Sequence, residues 1–197
     1  MRVEPIRQIT GEADFNEVFF EDVRVPADAL VGEENGGWRL AMAAASFERG
    51  TYFIPRQVRF AQEVQALKQL AADTPRDGGS ALQDPHLRRD IARLAVDSHV
   101  LKIKGLRALT NALRSGPPGA EGSSTKLHWS ESHQKMMNIA MELLGERALQ
   151  GPSPEGSDAR AALWTRDYLW TRAETILAGT SEVQRNILAE QMLGLPK

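Results

Sequence analysis

Apolar positions recur with helical spacing through most of the chain and give way to short alternating runs only at the front. Phe60, Val64, Leu67 and Ala71 fall at i, i+4, i+7 and i+11, one face of a helix that starts near Gly37, with Pro55 predicting a kink or break inside it. Leu87, Ile91, Leu94, Leu101, Ala108 and Ala112 predict a second long helix opening at Asp84-Pro85. A second row on it, Val96, Val100 and Ile103, widens the apolar face and predicts contacts on more than one side. A third helix is expected over 124–144, with His133, Met137, Ala140 and Leu144 on one face. A fourth begins near Asp158 and carries Ala162, Leu169, Ala173 and Ile176. Gly179 interrupts it. Ser181 with Gln184 three residues on fits a capping box, and Val183, Ile187 and Leu188 give the following stripe.

Pro, Gly and Asp clusters separate these helices: DTPRDGGSALQDP, SGPPGAEGSS and GPSPEGSD. Residues 3–31 differ. VEPIRQI and DFNEVFFEDVRVP read as two strands joined by a turn at Thr10–Asp14. Two strands alone are marginal and leave open edges, so this segment reads as part of a larger sheet domain. The expected architecture is mainly α: a four-helix up-and-down bundle over 36–197, preceded by a short β remnant over 1–35.

Composition narrows the chemistry. The chain has 197 residues, with Lys+Arg 24 against Asp+Glu 26 for a formal charge of -2, so no basic surplus steers it to nucleic acid or an anionic membrane. No apolar run reaches membrane-spanning length, and MRVEPIRQI lacks the apolar core of a secretory signal, which predicts a cytoplasmic protein. With Cys 0, disulfides, thiolate metal sites and thiol nucleophiles are excluded. There is no P-loop, GxGxxG, nucleophile elbow or HExxH. The di-iron pattern of bundles needs Glu-x-x-His, whereas this chain has the reverse, His128-x-x-Glu131, and His128 and His133 do not share a face, so no metal is expected. His133 on an apolar stripe reads as a hydrogen-bonded core histidine. The aromatics, among them Phe15, Phe19, Trp38 and Trp129, are assigned to core or subunit interface.

Two stretches carry more than periodicity. ILAGTSEVQRNILAEQMLGLP, from Ile176 to Pro196, resembles the C-terminal signature of acyl-CoA dehydrogenases, and FNEVFFEDVRVPADALVGEENGGWRLAMAAASFERG resembles the end of their middle β-domain and the start of their C-terminal helical domain. The likeness spans this chain but about half of the family's length. It implies FAD and a carboxylate base that removes the α-proton of an acyl-CoA thioester while the β-hydrogen leaves as hydride, giving the trans-2-enoyl thioester. It also implies an electron-transfer flavoprotein as acceptor and a homo- or hetero-oligomer built through the helical domain.

Within that resemblance the family's usual base position, directly before Gly-Thr, holds Ala178, which cannot take a proton. Other members carry the base on the first helix of the domain before an Arg, and SFERG places Glu48 there, with Arg49 beside the substrate. Read without the family, the Glu48-Arg49 pair is a solvated charge at the start of a helix. The resemblance assigns Thr180 and Glu182, with Gly179, to FAD, and Gly145 to the FAD of a neighbouring subunit. Helix-start amides and a hydroxyl suit phosphate or adenosine groups, although an ordinary capped helix has the same features. The family's Arg-x-x-Phe-Gly element is absent, since Leu70–Gly79 reads LAADTPRDGG. Two rival readings stand beside the enzyme: a catalytically silent helical partner that assembles with another chain, and a four-helix bundle with unrelated ligand binding.

Overall fold

The computed structural model describes residues 1–51, 53–115, 120–152 and 158–196, without the side chains of 46–51, 53 and 115. The chain divides into two compact units, Met1–Ala45 and Ser46–Lys197.

In the first unit, β1 (Arg2–Ile6) pairs antiparallel with β2 (Phe15–Phe19), in a register that sets Arg2 opposite Phe19 and Ile6 opposite Phe15. The predicted turn lies between them and is closed by hydrogen bonds from Gln8 N–H to the Glu12 carbonyl and from Gly11 N–H to the Gln8 carbonyl. The Arg2 guanidinium sits 4.4 Å above the Phe19 ring, yet Val3, Phe15 and Val18 stay exposed. A two-stranded ribbon has too little area to bury its own apolar side chains. Helix α1 (Gly37–Thr51) begins in this unit.

The second unit is mainly helical and forms the four-helix up-and-down bundle. Its helices are α2 (Phe53–Asp73), α3 (Pro85–Ser115), α4 (Glu121–Leu144) and α5 (Ala159–Glu174), followed by the short α6 (Ser181–Ile187). Pro55 falls in the first turn of α2, where no intrahelical N–H bond is needed. Helix α4 is the central element, with α2, α3, α5 and α6 all packed against it. The predicted stripes meet in one core: Phe60, Val64 and Leu67 from α2, Leu87, Ile91, Leu94 and Leu101 from α3, and Trp129, Met137, Ala140 and Leu144 from α4. Removing each large side chain from water contributes about 1.5–3 kcal/mol, so the bundle rests on these stripes rather than on helix propensity.

Three parts of the pattern come out differently. Val96 and Ile103 are well exposed and Val100 partly so, on a different face of α3 from buried Leu94 and Leu101, and Ala112 is uncovered. Ile176 lies outside α5 and is exposed, since the helix ends at Glu174; its buried face instead carries Ala161, Trp164, Thr171 and Glu174. The cap of α6 is Thr180 rather than Ser181, with the Val183 N–H donating to Thr180 Oγ1 at 3.2 Å. The stretch after α2 is also more than a breaker. Strands β3 (Pro75–Arg76) and β4 (Gly79–Ser80) form a minimal hairpin whose turn, Asp77 at φ 51 and Gly78 at φ 79, has the left-handed backbone that Asp-Gly favours. Arg76 fastens it to Asp84 at 3.0 Å and to Glu142 at 2.9 Å.

Candidate cofactor turn and buried charge array

The tail signature folds into a turn between α5 and α6. Ala178 at φ 54 and Gly179 at φ 93 both take left-handed backbone, and the Ser181 N–H closes the loop on the Thr175 carbonyl at 3.0 Å. Gly179 is required twice over: its φ disfavours a side chain, and a Cβ there would lie 2.6 Å from Gln184 Nε2.

Side chains from two helices hold this turn from the core side. Gln184 donates from Nε2 to the Ala178 carbonyl at 2.8 Å and the Gly179 carbonyl at 3.2 Å. Lys126 of α4, fully buried, donates from Nζ to the same Gly179 carbonyl at 2.7 Å. Gln134, also of α4, donates to the Thr171 carbonyl at 2.8 Å and to Thr175 Oγ1 at 3.0 Å.

On the outer side lies a groove of about 490 Å³, lined by Glu131, Gln134, Thr175, Ile176, Thr180, Ser181, Glu182 and Arg185. Arg185 pairs with Glu131 across its rim. The Glu182 carboxyl is held below its ordinary value by its own amide N–H and the Thr180 hydroxyl, with Arg185 and Lys126 adding positive charge. Among the described residues, Ser181 Oγ and Gln184 Oε1 are buried without a hydrogen-bond partner. A buried polar atom left unpaired is costly; Ser181 lines the groove, so its hydroxyl suits a polar cofactor group seated there.

Gly179, Thr180 and Glu182 therefore come together. Gly145 does not join them. It caps the far end of α4 at φ 53, ψ -128, donating its N–H to the Met141 carbonyl, nineteen residues past Lys126 and thus about 28 Å along the helix. Its backbone shape alone calls for glycine. Glu48 and Arg49 lie on α1, and their side chains fall outside the described residues.

A second polar cluster crosses the core. His133 of α4, 5% exposed, places Nδ1 2.7 Å from Glu174 Oε2 of α5 and Nε2 3.0 Å from Glu63 Oε2 of α2, the latter close in distance but off the hydrogen-bond axis. Arg59 pairs with Glu63 at 2.6 Å and Asp167 at 2.9 Å, and Arg56 lies 3.8 Å from Glu174 and 4.5 Å above the Trp129 ring. Burial works against the imidazolium, but the two carboxylates outweigh it and raise His133 to about 9. Burial likewise opposes the Glu63 carboxylate, and His133 and Arg59 overcome it, lowering the group below its ordinary value. The hydrogen-bonded core histidine expected from the stripe is present, inside a charge array that the stripe did not announce. No cluster of His and carboxylates able to hold a metal occurs among the described residues.

The sequence profile of the family described as "Acyl-CoA dehydrogenase, C-terminal domain" matches residues 35–193. The chain belongs to the acyl-CoA dehydrogenase family. It is 39% identical to the acyl-CoA dehydrogenase IpdE1 of Mycobacterium tuberculosis, over all of this chain and 48% of that protein, and 35% identical to IpdE1 of Mycolicibacterium smegmatis, over all of this chain and 46% of that protein. The chain thus spans about half the length of these curated relatives. Among solved structures it is similar to the ChsE4-ChsE5 complex of Mycobacterium tuberculosis, with a TM-score of 0.80 at 28% identity over all of this chain and 50% of that one. The Tcur3481-Tcur3483 steroid acyl-CoA dehydrogenase gives 0.78 at 25%, over all of this chain and 49% of that one.

Lys126 and Gln134 of α4 carry no motif in the sequence, and Gln184 carries only that of a capping box, though a signal for Lys126 exists. Stepping the stripe His133, Met137, Ala140, Leu144 back by seven lands on Lys126, an ammonium on a core face. No helix among the described residues is long and apolar enough to cross a membrane.

Proposed function

We propose that this chain provides the helical, cofactor-facing half of an FAD-dependent acyl-CoA dehydrogenase. The observation that carries the reading is the turn over 178–182: it is fastened from the core by Lys126 and Gln184, it presents Thr180 and Glu182 to a polar groove, and it leaves Ser181 Oγ buried and unpaired. Thr180, Ser181 and Glu182 would hold FAD there, which when bound supplies the hydride acceptor.

Glu48 is the proposed base. Its carboxylate takes the α-proton of the acyl-CoA thioester as the β-hydrogen leaves as hydride, which yields the trans-2-enoyl thioester. Such a base works best when a dry pocket raises its affinity for the proton towards the working pH. Arg49, next along α1, is proposed to orient the substrate. Gly145 is proposed to serve the flavin of a neighbouring subunit, since it lies well away from the 178–182 turn of its own chain. We extend the same reading to a short β-domain remnant before residue 36, to assembly with like or unlike subunits in the cytoplasm, and to an electron-transfer flavoprotein as acceptor. The naming of two chains in each of two similar solved complexes supports the assembly.

One observation favours a second reading. Ala178 stands where many relatives of this family carry their base, which fits a silent helical partner whose companion performs the chemistry. The first test is visible absorbance of the purified chain after gel filtration with and without added FAD. A retained flavin band would mean that this half holds the cofactor by itself or across a dimer. A colourless chain would mean that it does not hold the cofactor by itself, and turnover of the complemented enzyme with Glu48→Gln then separates the readings: unchanged turnover leaves this chain the silent partner.

A further inference from the structure

A buried lysine is an unusual way to fasten a turn. Lys126 is fully buried on α4 and donates to a backbone carbonyl, Gly179 O, at 2.7 Å. Taking an ammonium out of water is costly. Gln184 already supplies a donor to the same carbonyl at 3.2 Å, so closing the turn does not by itself require a charge.

What the second donor adds is direction. Two donors from α4 and α6 draw the Gly179 carbonyl inwards. The peptide unit is planar and trans, so the N–H of Thr180 on that unit points the opposite way, away from Lys126. Gln184 does the same for the Ala178 carbonyl and hence for the Gly179 N–H. The pair therefore orients two successive amides as well as the Thr180 side chain, which lines the groove. The charge also reaches the groove, since the Lys126 ammonium acts on the Glu182 carboxylate.

We propose that Lys126 is a positioning residue for the cofactor turn, holding the Gly179–Thr180 peptide so that its amide and the Thr180 hydroxyl face the FAD. The inference rests on the reading of this turn as the flavin seat. Lys126 does not touch the reacting atoms in it; it acts through Gly179, and Gln184 assists.

The test compares Lys126→Met, which keeps the length of the side chain and removes the donor and charge, with Gln184→Met and with Leu143→Ala, a core change at the far end of α4. Amide hydrogen exchange of Ser181, whose N–H spans the turn to Thr175, reads the turn directly. Titration with FAD, followed by flavin fluorescence and absorbance, reads the seat. In Lys126→Met, exchange at Ser181 should rise at least tenfold and FAD affinity should fall at least tenfold, while amides at Met136 and Met137 in the core of α4 stay protected. Leu143→Ala should lower the melting temperature and leave both turn readouts unchanged. Unchanged Ser181 exchange in Lys126→Met overturns the proposal, as does equal loss of FAD in Leu143→Ala. If Lys126→Met does not fold, Gln184→Met carries the same comparison, because it loosens the same carbonyl. If the unmodified chain takes up no FAD, the flavin reading of this turn is what fails, and Ser181 exchange alone decides whether Lys126 holds it.

Discussion

His133 Nδ1 lies 2.7 Å from Glu174 Oε2, so α4 and α5 share an ion pair in which both side chains are almost wholly removed from water. Glu63 from α2 approaches the other ring nitrogen, and Arg56, Arg59 and Asp167 close the array from α2 and α5. Three helices thus meet on one protonated imidazole. The signs of the shifts make the bundle's stability depend on pH. His133 is raised from 6.5 to about 9, so its contribution is complete below pH 6.5 and is lost as pH rises through 9. Glu63 is lowered from 4.5, so its contribution is present above that value and is lost as pH falls through the folded-state pKa. Stability should therefore peak between about pH 4.5 and 6.5 and decline towards pH 9.5 by up to roughly 3 kcal/mol. Chemical denaturation across that range measures it, and His133→Gln should flatten the alkaline limb. An equal decline in His133→Gln would assign the loss to other groups.

Removing the histidine alone is expected to cost more than removing it together with the charges of its two carboxylate partners. His133→Leu leaves Glu63 and Glu174 facing each other in the core with Arg56 and Arg59 as their remaining partners. A broken buried pair of this kind typically costs about 3–5 kcal/mol. Neutralising the carboxylates as well, with Glu63→Gln and Glu174→Gln, takes away the stranded charges, so the triple variant should be more stable than His133→Leu alone. Melting temperatures of the two variants decide it, and a triple variant that is less stable than the single one would show that the carboxylates are not stranded.

Adjacent residues of the 178–182 turn should respond with opposite signs. Gly179→Ala places a Cβ against Gln184 Nε2 at φ 93, and we expect a loss of about 1–3 kcal/mol. Ala178 already sits in left-handed backbone at φ 54, and Ala178→Gly relieves that strain while adding freedom to the unfolded chain. The net gain should be about 0.5 kcal/mol. Thermal unfolding of the two variants tests the pair. A stabilising Gly179→Ala would mean that the turn is not held as described.

The helices were legible because one residue type at one spacing decides them: Phe60 to Ala71, Leu87 to Leu101 and His133 to Leu144 all face the core as their periodicity requires. The misses have local causes. Ile176 continues the α5 stripe by count, but Ala178 and Gly179 turn the backbone left-handed just beyond it, and the helix stops at Glu174. Asp77-Gly78 carried a hairpin signal that its Pro- and Gly-rich surroundings masked. In the candidate site, Gly179 and Thr180 stood out through the tail motif. Lys126 and Gln134 did not, and Gln184 did so only as a capping-box residue, because their partners lie 53 and 37 residues away for Lys126 and Gln134 and in the turn before its own helix for Gln184, and such pairings leave no spacing rule in a single chain. The array on His133 is of the same kind: Glu63, His133 and Glu174 lie on three helices.

The two base positions yield the sharpest functional prediction. Ala178 cannot accept a proton, and its backbone nonetheless has the left-handed turn from which a longer side chain at this position would leave the helix end. If Glu48 is the base, Glu48→Gln in the assembled enzyme should lower turnover of an acyl-CoA by at least 10³-fold, on the scale of a lost general base, while FAD absorbance of the same preparation stays unchanged. Adding Ala178→Glu to that variant restores a carboxylate on a different helix, and partial recovery of turnover is expected, because either position reaches the same substrate carbon in the family this chain resembles. Recovery with a shifted pH profile would show that the new carboxylate does the work in its own surroundings. Full turnover in Glu48→Gln alone would move the chemistry to a companion chain and leave this bundle as the surface that holds it.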